Sequence, residues 1–161
     1  MTSLCCDVLA ALKGKTLVTA ESCTGGGIGA ALTAVPGSSE VYKGGIISYT
    51  NWVKERILGV DPEVLECYGA VSRPVAGAMA FGVRKLLQAD VAVSVTGLAG
   101  PGGDEYGNEV GKVFIGCSTC DNTVVREFCF IGDRDAVRQL AIEAALMLVL
   151  EMNGMDANEE N

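Results

Sequence analysis

The sequence contains no histidine among its 161 residues. This absence excludes a Ser-His-Asp triad and any other arrangement in which an imidazole activates a nucleophile. It also leaves the C-x-x-C pair of Cys117 and Cys120 without the histidines or the second cysteine pair that a zinc site would need. Few ways to activate a nucleophile remain, and lysine can replace histidine as the base where burial or a nearby cation lowers its pKa.

Long apolar segments and an excess of positive charge are also missing. No segment approaches the roughly 20 uninterrupted apolar residues of a membrane span, and the N-terminal stretch MTSLCCDVLAALKGK lacks the basic region of a signal peptide. The formal net charge is −8, and a surface of that charge repels phosphate backbones. We therefore expect a cytoplasmic protein that binds neither membranes nor nucleic acid.

Seven cysteines are present, an odd number that disulfide pairing would leave incomplete. In the cytoplasm, reduced thiols packed as small apolar side chains are the expectation. A thioredoxin-like pair would lie at a helix N-terminus, whereas Cys117 and Cys120 fall where a strand enters the turn CSTCDN. The pattern therefore favours packed thiols over a redox pair.

Helices alternate with strands along the chain. We predict helices over residues 3–13, 25–35 (capped by Thr24) and 52–57 (capped by Asn51), a further helix capped by Ser72, and a last helix from Asp133 to Gly154. We predict strands over residues 16–20, 41–50, 91–96, 112–118 and 123–131. The alternation favours a single domain, residues 1–161, with helices on both faces of a mixed sheet and a frayed tail at 155–161.

The last helix is apolar almost all round from Ala141 to Val149. Such a helix either lies at the centre of the core or is buried in a subunit contact. We expect a homodimer or a higher homo-oligomer, and the sequence leaves the core interpretation equally open.

A glycine-rich turn, ESCTGG from Glu21 to Gly26, joins the first strand to the next helix. Free N–H groups at this point and the hydroxyls of Ser22 and Thr24 could bind an anion. The glycines could equally serve only a tight turn and close helix packing. The sequence supports both interpretations to the same degree.

The same turn contains a dinucleotide fingerprint, because Gly25, Gly27 and Ala30 fit G-x-G-x-x-A. The match would suggest a Rossmann-type oxidoreductase. It is weak, since residues 21–24 separate the strand from the first glycine and Glu40 lies too near to bind a ribose. We therefore expect no dinucleotide cofactor.

Ser39, Tyr49 and Lys54 supply a hydroxyl, a phenol and an amine within GSSEVYKGGIISYTNWVKERILGV. Ser-Lys pairs are a known variant of the catalytic triad. A straight strand would hold Ser39 about 30 Å from Tyr49, so a bend at Gly44-Gly45 or a partner subunit would have to close the gap. Without that closure, the three residues are an ordinary turn serine, a half-buried tyrosine and a solvated lysine.

Six blocks follow one another in the chain: TAESCTGG, PGSS, GGIISYTNWVK, GAVSRPVA, VSVTGLAGPGG and GDRDAVR. Together they resemble the CinA C-terminal domain family in its stand-alone form, which includes nicotinamide-nucleotide amidohydrolases (nicotinamide mononucleotide deamidases). The resemblance implies a three-layer α/β/α sandwich with a mixed, mostly parallel sheet. It also implies hydrolysis of the carboxamide of nicotinamide mononucleotide, a pyridine nucleotide, to nicotinic acid mononucleotide and ammonia, with no metal or cofactor.

The resemblance further implies roles for individual residues. Ser39 of PGSS would be the nucleophile, Lys54 its base, and Tyr49 would assist proton transfer or hold the lysine. Ser22 is the alternative nucleophile, because it lies at a sharp strand-to-helix turn. The substrate would be bound by Ser22, Thr24, Gly25, Gly26, Thr96 and Arg134. The helix N-terminus after Ser22 would receive the phosphate together with Arg134.

One block departs from the family pattern. Asn108-Glu109 stands where Lys-Pro is common, so we expect an altered substrate affinity or a more mobile loop. A catalytically inactive nucleotide-binding or regulatory module of the same fold is the alternative function, because intact motifs do not measure turnover.

Overall fold

The computed structural model describes residues 1–154. The regular elements are α1 (Thr2–Ala11), β1 (Leu17–Glu21), α2 (Gly27–Thr33), β2 (Tyr42–Ile47), α3 (Asn51–Arg56), α4 (Pro62–Tyr68), α5 (Arg73–Leu86), β3 (Val91–Gly97), β4 (Lys112–Ser118), β5 (Thr123–Cys129) and α6 (Arg134–Gly154). A short 3₁₀ helix, Ser38–Glu40, precedes β2. The predicted frayed tail lies outside the described residues.

The strands form one five-stranded sheet in the order β2-β1-β3-β4-β5. β1 pairs in parallel with β2 and β3, whereas β4 pairs antiparallel with β3 and β5. The mixed sheet is thus confirmed. Two strand pairs are parallel and two are antiparallel, because β4 runs opposite to the other four strands. Because β2 and β3 flank β1 on opposite sides, a crevice opens beyond the carboxyl ends of these strands.

Side chains along the central strands point alternately to the two faces of the sheet. On one face Leu17 and Val93 pack with apolar residues of α1, α2 and α6. On the other face Val18 and Ala92 pack with α4 and α5. The first six residues of β3 are accordingly all buried, and the resulting three layers confirm the α/β/α sandwich.

The observed helices differ from the predicted ones at the start of α2 and in the presence of α4. α2 begins at Gly27, because Gly25 and Gly26 adopt left-handed φ angles of 59° and 95°. The sequence pattern also missed α4, whose start is set by Asp61: its carboxylate accepts the N–H of Glu63 at 2.8 Å, and Pro62 occupies the first turn.

α6 lies at the centre of the core. Its buried positions include Val137, Ala141, Ala145, Leu146 and Val149. The core interpretation of this helix therefore accounts for its apolar character, and the homo-oligomer stays a prediction. Within residues 1–154, none of the helices has both the length and the apolar character needed to cross a membrane.

All seven cysteines are free thiols. Cys117 is fully buried in β4, and burial raises the pKa of its thiol to about 12. Cys120 is exposed in the turn that follows. Since a protonated, buried thiol is a poor nucleophile, the pair lacks the character of a redox centre.

Candidate active site

A pocket of about 310 Å³ lies at the carboxyl edge of the parallel part of the sheet. Ser22 lines it directly after β1, Tyr49 and Lys54 line it after β2, and Thr96 lines it near the end of β3. Arg134 reaches it from the start of α6. Parallel strands that end at one edge thus bring side chains together from distant parts of the sequence. Within residues 1–154, no group of three or more histidine, cysteine or acidic side chains is placed to hold a metal ion.

Lys54 is buried in this pocket, with only 1% of its surface exposed. Its Nζ donates to the hydroxyl of Ser22 at 2.9 Å and to the main-chain oxygen of Ser48 at 2.7 Å. Among the described residues no carboxylate pairs with it. Burying an ammonium without a carboxylate partner is unfavourable, so the surroundings favour the neutral amine.

Desolvation by burial lowers the pKa of Lys54 from its ordinary 10.5 to about 8, and the nearby Cys23 opposes this effect. The two acceptors satisfy only two of the three N–H groups of the ammonium. A fraction of Lys54 therefore carries no charge near neutral pH, as a general base requires.

Ser22 presents its hydroxyl to Lys54 because its backbone is anchored on both sides. Its N–H donates to the oxygen of Val95 at 2.9 Å, and its own oxygen accepts the N–H of Gly25 at 3.0 Å. Its side chain lines the pocket, so a ligand can reach the hydroxyl. The pair is a serine whose proton a neutral amine can accept.

Glu21 is buried beneath the first turn of α2. Its carboxylate accepts the N–H groups of Ile28 at 2.8 Å and Gly29 at 3.1 Å. It also accepts the hydroxyls of Thr24 at 2.8 Å and Thr19 at 3.3 Å. These helix N–H groups are therefore not available to a substrate phosphate, contrary to the sequence-based expectation.

Replacing Glu21 by glutamine should lower the free energy of unfolding by about 3 kcal/mol, because the amide presents N–H donors to groups that need acceptors. For a domain of this size the melting temperature should fall by roughly 6–12 °C. Chemical denaturation measures the change, and Glu40→Gln, at an exposed glutamate, is the matched control. Equal stability of the Glu21→Gln variant and the wild type would contradict this role.

Ser39 lies apart from the pocket. It is exposed on the 3₁₀ helix before β2, whereas Lys54 follows the opposite end of that strand. The six residues of β2 separate the two by about 16 Å, and the Gly44-Gly45 segment stays paired with β1 rather than folding back. Within one chain, therefore, the structure brings Ser22 and not Ser39 to the lysine.

Tyr49 forms a wall of the pocket. Its phenol oxygen accepts a hydrogen bond from Nη2 of Arg134 at 3.1 Å, and Arg134 also donates through Nη1 to the oxygen of Gly100. No bond joins Tyr49 to Lys54 among the described residues. The expectation that the tyrosine holds the lysine is therefore not met. Arg134 instead connects the start of α6 by hydrogen bonds to the loops that follow β2 and β3.

The hydroxyls of Thr24 and Thr96 are engaged within the protein. Thr24 donates to Glu21 and caps no helix, and Thr96 donates to the oxygen of Ala70 at 2.7 Å while lining the pocket. Gly25 and Gly26 serve the turn through their left-handed backbone, where other residues are strained. Of the two interpretations of this turn, the structure therefore supports the tight turn at the glycines.

Two pocket-lining residues with polar side chains, Cys23 and Asn51, were not assigned to the site from the sequence. Burial raises the pKa of the Cys23 thiol to about 11, so it stays protonated. The interpretation of Asn51 as a helix cap is wrong, because Thr50 occupies that position. Cys23 lies inside the ESCTGG block and Asn51 inside the SYTN block, and this position is the sequence signal that could have identified them.

The loop after β3 is held by the residue that departs from the family pattern. The amide of Asn108 donates to the oxygen of Val71 at 3.1 Å and to the carboxylate of Asp104 at 2.8 Å. These contacts give the loop its own anchor, and they argue against the greater mobility expected from the substitution. The expected change in affinity stays a prediction.

Comparison with known proteins gives one consistent family. A model of the CinA C-terminal domain matches residues 2–153. A CinA-like protein from Parasynechococcus marenigrum is 51% identical over 152 residues, covering 89% of this chain and 35% of that protein. A CinA-like protein from Acidobacterium capsulatum is 46% identical over 138 residues, covering 86% and 33%. The chain thus spans about a third of the length of the curated relatives it matches.

Solved structures share the whole fold. A competence-damaged protein (CinA) superfamily protein from Klebsiella pneumoniae superimposes with a TM-score of 0.93 at 33% identity, covering 96% of this chain and 98% of that one. A competence/damage-inducible protein from Agrobacterium tumefaciens gives a TM-score of 0.91 at 37% identity, covering 94% of each.

Proposed function

Because the chain belongs to the CinA C-terminal domain family, we propose that it hydrolyses the carboxamide of nicotinamide mononucleotide to nicotinic acid mononucleotide and ammonia. The observation that carries the proposal is the buried hydrogen bond between Lys54 and Ser22 at the pocket. Amide hydrolysis needs an activated hydroxyl, and this pair supplies one without histidine.

The proposed reaction proceeds in two steps. Neutral Lys54 accepts the proton of Ser22 while the serine oxygen attacks the carboxamide carbon. The lysine then returns the proton to the leaving nitrogen, and ammonia departs from a Ser22 ester of nicotinic acid mononucleotide. Water then gives a proton to the same amine and attacks the ester carbon. The lysine returns that proton to the Ser22 oxygen as the ester bond breaks, which releases nicotinic acid mononucleotide and restores the neutral amine and the serine hydroxyl.

The charges at the pocket support an anionic substrate. Its lining includes the cation Arg134, and no carboxylate within residues 1–154 lines it, although the whole chain carries a net charge of −8. Arg134 can bind a phosphate oxygen by charge-assisted hydrogen bonds. The exposed ring of Tyr49 offers a π face to the pyridinium cation.

The activity should rise with pH as Lys54 loses its proton. With a lysine pKa of about 8, kcat/KM should climb between pH 6 and 9 and then level off. It should be about 100-fold lower at pH 6 than on the plateau. Initial rates measured across this range give the profile. A flat profile, or one that still climbs steeply at pH 10, would contradict Lys54 as the base.

The proposal is tested by ammonia release from nicotinamide mononucleotide, using purified protein with a chelator and no added metal. A Ser22→Ala, Lys54→Met double variant gives the blank rate. Ammonia no faster than this blank would overturn the proposal. A rise in melting temperature with the nucleotide but no ammonia would instead support the inactive binding module, because a ligand selective for the folded state stabilises it.

A further inference from the structure

Arg138, one helical turn after Arg134 on α6, reaches the turn that carries Ser22. Its Nε donates to the oxygen of Cys23 at 3.1 Å, and its Nη2 donates to the oxygen of Thr24 at 3.2 Å. A guanidinium presents its donors in a fixed plane, so binding two successive carbonyls fixes the orientation of both peptide units. These are the first two carbonyls that follow Ser22 in the chain.

The turn is also held by the N–H of Ser22, which donates to the oxygen of Val95 at 2.9 Å, and by the hydroxyl of Thr24, which donates to Glu21 at 2.8 Å. Its internal main-chain bonds run from Gly25 to Ser22 at 3.0 Å and from Gly27 to Thr24 at 3.0 Å. Because Gly25 and Gly26 adopt left-handed φ angles, the segment lacks the regular hydrogen-bond pattern of a helix or a strand. Within residues 1–154, Arg138 is the side chain from outside the turn that binds these two carbonyls, and it links them to a helix at the centre of the core.

The guanidinium of Arg138 packs closely against the turn. A β-carbon at Gly25 would lie 3.7 Å from Nη2 of Arg138, at ordinary van der Waals distance. The remaining partner is Asp135, whose carboxylate lies 3.8 Å from Nη1 and is 90% exposed. An exposed ion pair of this kind contributes little, so the main bonds of Arg138 are those to the turn.

We propose that Arg138 is a positioning residue for catalysis: it holds the turn so that the Ser22 hydroxyl stays within hydrogen-bond distance of Lys54. This inference rests on the proposed hydrolase function. Small displacements of a nucleophile by a residue away from the chemistry can cost about 10²-fold in rate. A purely structural arginine would instead change stability and leave turnover alone.

Arg138→Met tests the proposal, with Gln139→Met as the matched control at an exposed neighbour on α6. We expect kcat to fall by about 10- to 100-fold in Arg138→Met, with KM changed less than about threefold. Asp135→Asn, which removes only the ion pair, should retain kcat. If Arg138→Met does not fold, Arg138→Lys gives the same comparison, since one ammonium cannot reproduce the planar fork.

Chemical rescue distinguishes the two roles, because kcat should recover with added guanidinium only if Arg138 acts by positioning the turn. Added guanidinium at tens of millimolar should restore part of the lost kcat in Arg138→Ala, whereas equal sodium chloride should not. An active wild type whose Arg138→Met variant keeps its kcat, or an Arg138→Ala variant that guanidinium does not rescue, would overturn this inference alone. A wild type that releases no ammonia would overturn the proposed function and this inference with it.

Discussion

Replacing Ser22 by alanine should lower kcat for ammonia release by about 10⁴-fold, with KM changed by less than about threefold. In the proposed reaction the serine oxygen forms the ester, so its loss should remove the reaction path rather than a binding contact. The remaining pocket still contains Arg134 and Tyr49, so substrate binding should persist. Steady-state rates with the purified variant, over a range of substrate concentrations, separate kcat from KM.

Ser39→Ala is the comparison that decides between the two serines. Ser39 is exposed at the other end of β2, so its variant should retain wild-type kcat. A large loss of kcat in Ser39→Ala, together with an active Ser22→Ala, would reverse the assignment. It would also imply that a second subunit brings Ser39 to Lys54.

Replacing Lys54 by methionine should abolish the activity and yet stabilise the protein at pH 7. Below pH 8 the folded state carries an ammonium whose pKa burial lowers from 10.5 to about 8, which corresponds to about 3 kcal/mol. Methionine removes this cost and fills similar space. It also removes two hydrogen bonds, each of about 1 kcal/mol, so we expect a net gain of about 1 kcal/mol in the free energy of unfolding.

The sign of this effect should reverse with pH. Below pH 8 the folded and unfolded states of the wild type both bind the lysine proton, and the full cost is present. Between pH 8 and 10.5 the unfolded state binds more protons than the folded state, so the wild type gains stability as pH rises. Above pH 10.5 the cost is gone, and Lys54→Met should be the less stable protein by about 2 kcal/mol.

Denaturant unfolding at pH 7 and pH 10.5 measures this crossover. Lys43→Met is the matched control, because Lys43 is exposed and bonds only to the oxygen of Gln88 at 3.3 Å. Its stability should differ little from the wild type at either pH. A Lys54→Met variant that is less stable than the wild type at both pH values would contradict the prediction that burial of the Lys54 ammonium destabilises the folded state.

Local periodicity was sufficient to predict the layers of the fold. Of the buried stripe that the sequence predicts along α5, Val75, Met79 and Val83 are fully buried, whereas Leu86 is 49% exposed. The buried strand β3 lies at the centre of the sheet. Such patterns depend only on which face of an element meets the core. α4 was missed because it is short and buries only Leu65, which leaves no periodic stripe to detect.

The pairing of catalytic groups could not be read from the same patterns. The family resemblance implied Ser39 as the nucleophile and Ser22 as the alternative, whereas the structure places Ser22 beside Lys54. Spatial distance depends on strand direction: β1 and β2 are parallel, so the residue after β1 meets the residues after β2. Ser39 precedes β2 and is left at the far edge.

The absence of histidine, a property of the sequence alone, excluded an imidazole base and made lysine the candidate base for a serine. The order of the strands, which no local segment specifies, determined which serine that lysine meets. It also determined that the amine lies out of water, where its pKa falls to about 8. The physical reason is that the residue type alone fixes which functional group a side chain has. Its neighbours and its burial from water, which set its pKa, depend on how distant strands pair in the folded protein.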